Sequence, residues 1–141
     1  MSTSSGIVVV DTGVFSASLS PRRDHVEELY ADDLAGKRLL ISFQTSAEIR
    51  YGALKARWQT KRLELREQRL QSALEIPPHA DLTRAWAELR NKCRHAGHAF
   101  HDRTHTADLW TAATAKVANA PLVTHDAGFR EIPGIDIICR V

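Results

Sequence analysis

The sequence is organised around four short apolar runs, which are separated by longer segments of mixed polarity. The first run, Ile7–Val10, consists of four consecutive β-branched residues. Similar runs occupy residues 39–41, 122–124 and 135–139. Runs that are apolar at successive positions, and not only at alternate ones, are typical of strands buried on both faces of a parallel sheet. The pattern therefore predicts four strands in a largely parallel sheet.

In the segments between these runs, apolar residues recur three or four positions apart, which is the spacing of a helix. The predicted helices are one that Asp24 caps and that extends from about His25 to Gly36, one opened by Thr45 or Ser46, a charged one over about 60–74 that Pro77 and Pro78 stop, one from Asp81 to about Gly97, and one capped by Thr106. Strands separated by helices indicate an α/β fold of three layers, with a mostly parallel central sheet flanked by helices. We expect one domain over residues 1–141.

Composition narrows the class of protein without naming a ligand. Hydrophobic residues make up 43% and charged residues 26% of 141 residues, which supports a packed core and excludes global disorder. The net charge of +2 neither requires nor opposes a nucleic-acid partner. Cys93 and Cys139 have no ligand spacing and are expected to be reduced thiols. No signal peptide or membrane span is visible, so we expect a cytoplasmic protein.

Four acidic residues stand at the ends of predicted elements. Asp11 directly follows the first strand, and Asp126 lies just past the third. Glu48 and Asp108 each fall in the first turn of a predicted helix. In an open parallel sheet the carboxyl ends of the strands and the starts of the following helices share one edge, where ligands bind. Four acids that are distant in sequence are therefore expected to meet at one rim.

Clustered carboxylates repel one another unless a cation lies between them. Oxygen ligands without cysteine favour Mg²⁺ or Mn²⁺, and such an ion can activate a water for hydrolysis of a phosphodiester. Each acid also has a structural interpretation by itself. Asp11 can simply end a strand, Glu48 and Asp108 can favour a helix dipole, and Asp126 can form a turn before Gly128. The hypothesis of a metal site depends on all four acids sharing one edge.

At these residues the sequence resembles a known family. The segments IVVVDTGVF, TSAEIRYGA, ADLWTAATA and PLVTHDAGF follow the order and spacing of the motifs in PIN domains of VapC-type toxins, over residues 7–135. The resemblance implies a PIN-like fold with Asp11, Glu48, Asp108 and Asp126 as catalytic, metal-binding residues. It also implies that Thr12 orients a ligand and that Thr124 occupies a position where the family commonly has threonine.

The same resemblance implies an activity and partners. PIN toxins are endoribonucleases that need Mg²⁺ or Mn²⁺, form homodimers and are inhibited by a VapB-type antitoxin. We expect the antitoxin to place a basic side chain, preferably Arg, among the acids, because a guanidinium binds carboxylates bidentately. The helix pair over residues 45–74 is the candidate groove for it.

Other polar segments have less specific interpretations. The histidine-rich segment 98–105 is expected to be a solvated loop that faces RNA or a dimer partner, with a transition-metal site as the alternative. The basic residues of the helix over about 60–74 alternate with Glu64 and Glu67, which predicts a salt-bridged face. Arg50, Lys55 and Arg57 are candidates for phosphate contacts. Trp86 and Trp110 are interpreted as core or dimer surface, and His125 is assigned no role.

Other classes of protein use similar acidic residues, and the sequence fits them less well. A flap-type DNA nuclease uses similar acids but is a much longer protein. A response-regulator receiver needs an acidic pair after its first strand and a late Lys, whereas Asp11 has no acidic neighbour and Thr124-His125 contains no Lys. A haloacid-type phosphatase needs Asp-x-Asp, which Asp11-Thr12-Gly13 lacks. A catalytically inactive PIN-like module that binds RNA or protein remains an alternative.

Overall fold

A computed structural model describes residues 6–19, 25–57 and 59–141, and its centre is one parallel sheet. The strands are β1 Ile7–Val10, β2 Arg38–Ser42, β3 Leu74–Ile76, β4 Leu122–Val123 and β5 Ile137–Ile138. Their order in the sheet is β3-β2-β1-β4-β5, and every adjacent pair is parallel. The strand order therefore reverses between β1 and β4, which is where open α/β sheets bind ligands.

The sheet has one more strand than the sequence predicts. Leu74 was assigned to the end of the charged helix, but that helix ends at Ser72 and Ala73 has extended backbone, with φ −86° and ψ 150°. Leu74–Ile76 then pairs with β2 at the edge of the sheet. β4 and β5 are shorter than the predicted runs over 122–124 and 135–139.

Helices cover both faces of this sheet. They are α1 Thr12–Leu19, α2 His25–Leu29, α3 Ala31–Leu34, α4 Phe43–Lys55, α5 Thr60–Ser72, α6 Ala80–Ala96 and α7 Thr106–Ala118. The segments Ala99–His101, Arg103–His105 and Ala127–Phe129 form single 3₁₀ turns.

The helix starts differ in detail from the predicted ones. α1 was not predicted, and the helix expected from His25 to Gly36 is two short helices that meet at the buried Tyr30. Its expected cap, Asp24, lies outside the described residues. The cap of α4 is Ser42, whose hydroxyl accepts from the Thr45 N–H at 3.0 Å, and not Thr45 or Ser46. Thr106 is the first residue of α7 and does not cap it.

The core has two parts, one on each face of the sheet. Val9 contacts the part formed with α6 and α7, whereas Val8 and Val10 contact the part formed with Tyr30, α1, α4 and α5. β1 is therefore buried on both faces, as its unbroken apolar run predicts. The three-layer α/β fold is confirmed. Cys93 and Cys139 are free thiols, and among the described helices none is long and apolar enough to cross a membrane.

Candidate active site

Asp11 stands at the carboxyl end of β1 and is the most enclosed of the four acids, with 9% of its surface exposed. Its Oδ1 accepts from the Val14 N–H at 2.9 Å, and its Oδ2 accepts from the Thr124 hydroxyl at 2.5 Å. Burial raises the pKa of Asp11, and the charges of Asp126 and Asp108 raise it further against the lowering effect of the two hydrogen bonds. The two hydrogen bonds therefore orient the Asp11 carboxyl group, while burial and the neighbouring charges disfavour its ionised form.

Asp126 is joined to Asp11 through Thr124. The Thr124 hydroxyl that donates to Asp11 also accepts from the Asp126 N–H at 3.1 Å. Asp126 then caps the turn Ala127–Phe129, because its Oδ1 accepts from the Gly128 N–H at 2.8 Å. A Cβ at Gly128 would lie 3.1 Å from that same oxygen, so the turn leaves little room for a side chain. The predicted turn at Asp126 is present, and it coexists with a place in the acidic cluster.

Glu48 and Asp108 reach the site from helices. Glu48 is the sixth residue of α4 and so lies in its second turn; the prediction of the first turn was wrong because α4 begins at Phe43. Its Oε1 accepts from the Thr12 hydroxyl at 3.0 Å. Asp108 lies in the first turn of α7, as predicted, and its Oδ2 is 3.2 Å from His105 Nδ1. The Asp108 side chain is 38% exposed.

All four acids line one pocket of about 370 Å³ at the edge where β1 and β4 end. The remaining lining residues are Thr12, Gly13, Val26, Thr111, His125 and Phe129. Within the described residues, no three Asp, Glu, His or Cys side chains are grouped closely enough to hold an ion as they stand. The acids therefore share a pocket without forming a closed set of ligands.

The donor chemistry of this pocket still fits a hard divalent cation. The four acidic side chains supply only oxygen ligands, which Mg²⁺ and Mn²⁺ prefer. Each oxygen of an ionised carboxylate can accept more than one bond, so the two hydrogen bonds of Asp11 leave lone pairs available. Burial is the main reason that the pKa of Asp11 is raised, and a cation would also offset the smaller contribution that Asp126 and Asp108 make.

A buried hydroxyl network beneath the acids was not foreseen from the sequence. The Thr12 hydroxyl lies 3.1 Å from Thr45 Oγ1, and Ser42 Oγ lies 3.3 Å from both Thr45 Oγ1 and Thr111 Oγ1. Ser42, Thr45 and Thr111 are all buried. The sequence signal was hydroxyl type alone, at Thr45 and Thr111 within the motif segments and at Ser42 outside them. The network orients Thr12, which in turn holds Glu48.

The histidine-rich segment is more ordered than the solvated loop that we expected, since it forms two 3₁₀ turns. His98 has a structural role: its Nδ1 accepts from the Phe100 N–H at 3.0 Å, so its Nε2 carries the proton and donates to the Arg130 carbonyl at 2.9 Å. His105 stacks on Phe100, with ring centroids 4.6 Å apart, and contacts Asp108.

One acid of the charged face of α5, Glu67, forms a salt bridge, and its partner lies on α4 and not among the basic residues of α5 with which pairing was predicted. Arg50 of α4 donates to both oxygens of Glu67, at 2.9 and 2.6 Å. Arg50 is therefore engaged between two helices, although all three candidates for phosphate contacts, Arg50, Lys55 and Arg57, are exposed. Trp86 and Trp110 stack on each other at 5.3 Å, half-buried against the core.

Comparison with known proteins decides the family. The PIN-domain profile matches residues 8–135. The chain belongs to the PIN-domain family. Ribonuclease VapC5 of Mycobacterium tuberculosis (strain ATCC 25618 / H37Rv) is similar to this PIN domain, with 33% identity over 95% of this chain and 93% of the relative. The predicted resemblance to VapC-type PIN domains is thus confirmed.

Solved structures agree on the fold. A chain of the DNA-bound VapBC structure from Salmonella typhimurium superposes with a TM-score of 0.75 at 21% identity, covering 95% of this PIN domain and 97% of that chain. A chain of VapBC-5 from Mycobacterium tuberculosis superposes with a TM-score of 0.64 at 28% identity, covering 96% and 99%. The predicted PIN-like α/β fold is confirmed by these superpositions.

Proposed function

We propose that this PIN domain is a Mg²⁺- or Mn²⁺-dependent endoribonuclease that acts as the toxin of a type II toxin–antitoxin system. The observation that carries the proposal is the convergence of Asp11, Glu48, Asp108 and Asp126 on one pocket at the switch point of the sheet. Burial, and to a lesser degree the charges of Asp126 and Asp108, raise the pKa of Asp11, and such shifts are common at functional sites. A similar protein is named a ribonuclease, which supports RNA as the substrate.

In this proposal the four carboxylates hold the cation and the hydroxyl groups hold the carboxylates. The bound ion would lower the pKa of a coordinated water and offset negative charge on the phosphodiester. Thr124 links the Asp11 carboxylate to the backbone N–H of Asp126 through its two hydrogen bonds. Thr12 orients Glu48, and His105 orients Asp108.

Cleavage of a mixed RNA pool by the pure protein tests this proposal. We expect cleavage with Mg²⁺ or Mn²⁺, none with excess EDTA, and 5′-phosphate ends, because a water and not the ribose hydroxyl is the nucleophile. Undiminished cleavage in EDTA, or 2′,3′-cyclic phosphate ends, would contradict the mechanism. RNA that binds and is never cut would favour the alternative of a catalytically inactive PIN-like binding module.

The proposed inhibitor is a VapB-type antitoxin, and α4 and α5 offer it a groove. This groove of about 330 Å³ is lined by Ala53, Leu54, Leu63 and Leu70, with the Arg50–Glu67 pair at its side. Leu54 is 68% exposed, which is unusual for a large apolar side chain beside other apolar ones. Solved structures of similar fold come from toxin–antitoxin systems, which supports a partner of this kind.

Co-expression with the product of the neighbouring gene tests the groove. We expect that product to rescue growth and to co-purify with the wild-type chain, and the Leu54→Glu variant to lose the complex. Leu65→Glu is the matched control, since Leu65 is also exposed and lies outside the groove. Equal loss of the complex in both variants, or an unaffected Leu54→Glu complex, would place the antitoxin elsewhere.

We also propose a homodimer, because two-fold dimers are the commonest oligomers and the stacked Trp86 and Trp110 remain half-exposed. Light scattering at micromolar concentration is expected to report twice the chain mass. A monomer that cleaves RNA normally would exclude a functional dimer.

A further inference from the structure

His125 is a pocket residue that the proposed mechanism leaves without a task. It lies between Thr124 and Asp126 and lines the same pocket as the four acids. On its other side, its Nδ1 is 2.9 Å from the hydroxyl of Tyr30, which is fully buried. The two rings meet edge to face, with centroids 5.6 Å apart. The His125 ring is thus held on one side by the buried Tyr30 phenol, and its other side lines the pocket.

The Tyr30 hydroxyl bridges a backbone N–H and a backbone carbonyl that would otherwise bond each other directly across the sheet. β4 and β5 continue their pairing past their ends through the Thr124 N–H and the Ile138 carbonyl, at 3.0 Å. Where the next bond would join Arg140 to Thr124, the Arg140 N–H donates to Tyr30 Oη at 2.8 Å, and the same hydroxyl lies 2.9 Å from the Thr124 carbonyl. Asp33 holds the Arg140 side chain at 2.7 and 2.9 Å.

This arrangement determines which nitrogen of His125 carries the proton. A phenol has one hydrogen to donate and two lone pairs that accept. The Arg140 N–H can only donate to Tyr30, and the Thr124 carbonyl can only accept from it. Leaving the buried Thr124 carbonyl without a donor would be costly, so the phenol hydrogen belongs there. His125 must then donate from Nδ1, and in its neutral form Nε2 holds a lone pair.

We infer that His125 Nε2 accepts a hydrogen bond from a ribose 2′-hydroxyl beside the scissile phosphate and so contributes to the choice of RNA over DNA. Within the described residues no partner of Nε2 is recorded, and the other polar groups that line the pocket are acids and the hydroxyls that serve them. A phosphate oxygen can only accept hydrogen bonds, so a lone pair on Nε2 suits a hydroxyl donor and not a phosphate. The 2′-hydroxyl is the group by which proteins distinguish RNA from DNA. The inference rests on the proposed function of the pocket.

A comparison of two substrates in two proteins tests the inference. One substrate is an RNA oligonucleotide that the protein cleaves. The other is the same oligonucleotide with a single 2′-deoxy nucleotide next to the cut, placed on one side or on the other. In the parent, the deoxy substitution is expected to slow cleavage about tenfold, the size of one hydrogen bond. His125→Leu should slow cleavage of the all-RNA substrate by a similar factor, and the deoxy substitution should then cost nothing more.

Matched variants separate recognition from structure. His125→Gln places an amide oxygen near the position of Nε2 and should retain part of the deoxy penalty. His95→Leu, which removes an exposed histidine outside the pocket, should change neither the rate nor the penalty. A full tenfold penalty that persists in His125→Leu would overturn the inference. It would instead indicate that His125 donates to a phosphate oxygen or only packs against Tyr30.

Two further readouts do not depend on cleavage. The affinity of the Asp108→Asn variant for the two oligonucleotides, measured by fluorescence anisotropy, should show the same penalty and the same dependence on His125. A protein that binds RNA with this preference and never cuts it would break the proposed function and keep the inference. Two-bond ¹⁵N–¹H correlation spectra should show the Nδ1–H tautomer of His125 in the parent and its loss in Tyr30→Phe. An Nε2–H tautomer in the parent would overturn the inference directly.

Discussion

The four acids of the pocket divide into two pairs that the fold holds in different ways. Asp11 and Asp126 follow strands, and the buried Thr124 hydroxyl joins the Asp11 carboxylate to the Asp126 backbone N–H by hydrogen bonds of 2.5 and 3.1 Å. Glu48 and Asp108 stand on helices, each with one partner at an accessible position. The Asp11 and Asp126 carboxylates also accept from the backbone N–H groups of Val14 and Gly128, whereas the hydrogen-bond partners of the Glu48 and Asp108 carboxylates within the described residues are side chains. The first pair is therefore preorganised, and the second pair has more freedom to adjust around the proposed cation.

The largest effect is expected from removing charge within the preorganised pair. Asp11→Asn should lower RNA cleavage by about a hundredfold or more, because metal-assisted stabilisation amounts to several kcal/mol and each 1.4 kcal/mol is about tenfold. Glu48→Gln should cost less, about tenfold, since a mobile side chain can still direct its remaining oxygen at the ion. Single-turnover rates in saturating Mg²⁺ measure both. A greater loss in Glu48→Gln would contradict the division of the acids into two pairs.

The hydroxyl groups that hold the two pairs should also differ in their contribution to stability, with Thr124 contributing more than Thr12. Thr124→Val leaves one buried oxygen of Asp11 without its donor, at a cost of about 1–3 kcal/mol in the free energy of unfolding. Thr12→Val is the matched control, because its bond to Glu48 is exposed and should contribute less. Urea denaturation of both variants makes the comparison. Equal losses of stability would mean that burial does not distinguish the two pairs.

Asp11→Asn should also separate a functional acid from a structural one. Asn can still cap α1, so the variant is expected to keep that bond while losing a charge that burial and neighbours oppose. In EDTA it should be more stable than the parent by roughly 0.5–2 kcal/mol, as when a strained site is relieved. It should lose most of the stabilisation by Mg²⁺, which reflects binding to the native state alone.

Thermal melts in EDTA and in excess Mg²⁺ measure this, with Asp136→Asn, an exposed acid outside the pocket, as the control. Asp108→Asn should behave like Asp11→Asn with a smaller gain, because Asp108 is more exposed and has His105 beside it. An Asp11→Asn protein that melts well below the parent in EDTA and gains as much from Mg²⁺ would assign that acid a structural role.

The raised pKa of Asp11 should also affect how the stability of the protein depends on pH. Because its pKa is raised in the folded chain above the ordinary 3.8, its proton is held more tightly in the folded state than in the unfolded state. This contribution to stability is fully present below pH 3.8 and is lost as pH rises through the folded pKa. In EDTA, the advantage of Asp11→Asn over the parent should therefore grow with pH across that window. A difference that is constant with pH would show that the charge of Asp11 is not the cause.

The smallest effect is expected at the contact that places α4. Glu67→Gln removes one charge from the bidentate pair with Arg50, which joins α4 to α5 at an exposed position. We expect a loss of about 0.2–1 kcal/mol, reduced further by salt. Activity should change little, since Arg50 and Glu67 lie outside the pocket that the four acids line. A large loss of cleavage with unchanged stability would instead point to a role of this pair in binding RNA.

Periodicity and motif order predicted much of this protein, although not the details of its elements. The β-branched run of Ile7–Val10 predicted a strand buried on both faces, which is what the sheet contains. The separate helix α1, the break at Tyr30 and the edge strand β3 were missed. The last two depend on distant contacts: Leu74 extends because β2 offers a partner, and Tyr30 turns inward because Thr124 and Arg140 bind its hydroxyl.

The sequence by itself determined which chemical groups line the site. Carboxylates at predicted strand ends and helix starts have few other common functions when several of them occur together. Only the tertiary structure decided which hydroxyl holds which acid, and which nitrogen of His125 carries the proton. Those assignments rest on Thr124 meeting Asp11 from 113 positions away and Tyr30 meeting His125 from 95 positions away. Local patterns carry no information about such pairs, because hydrogen bonding acts through distance in space and not through separation along the chain.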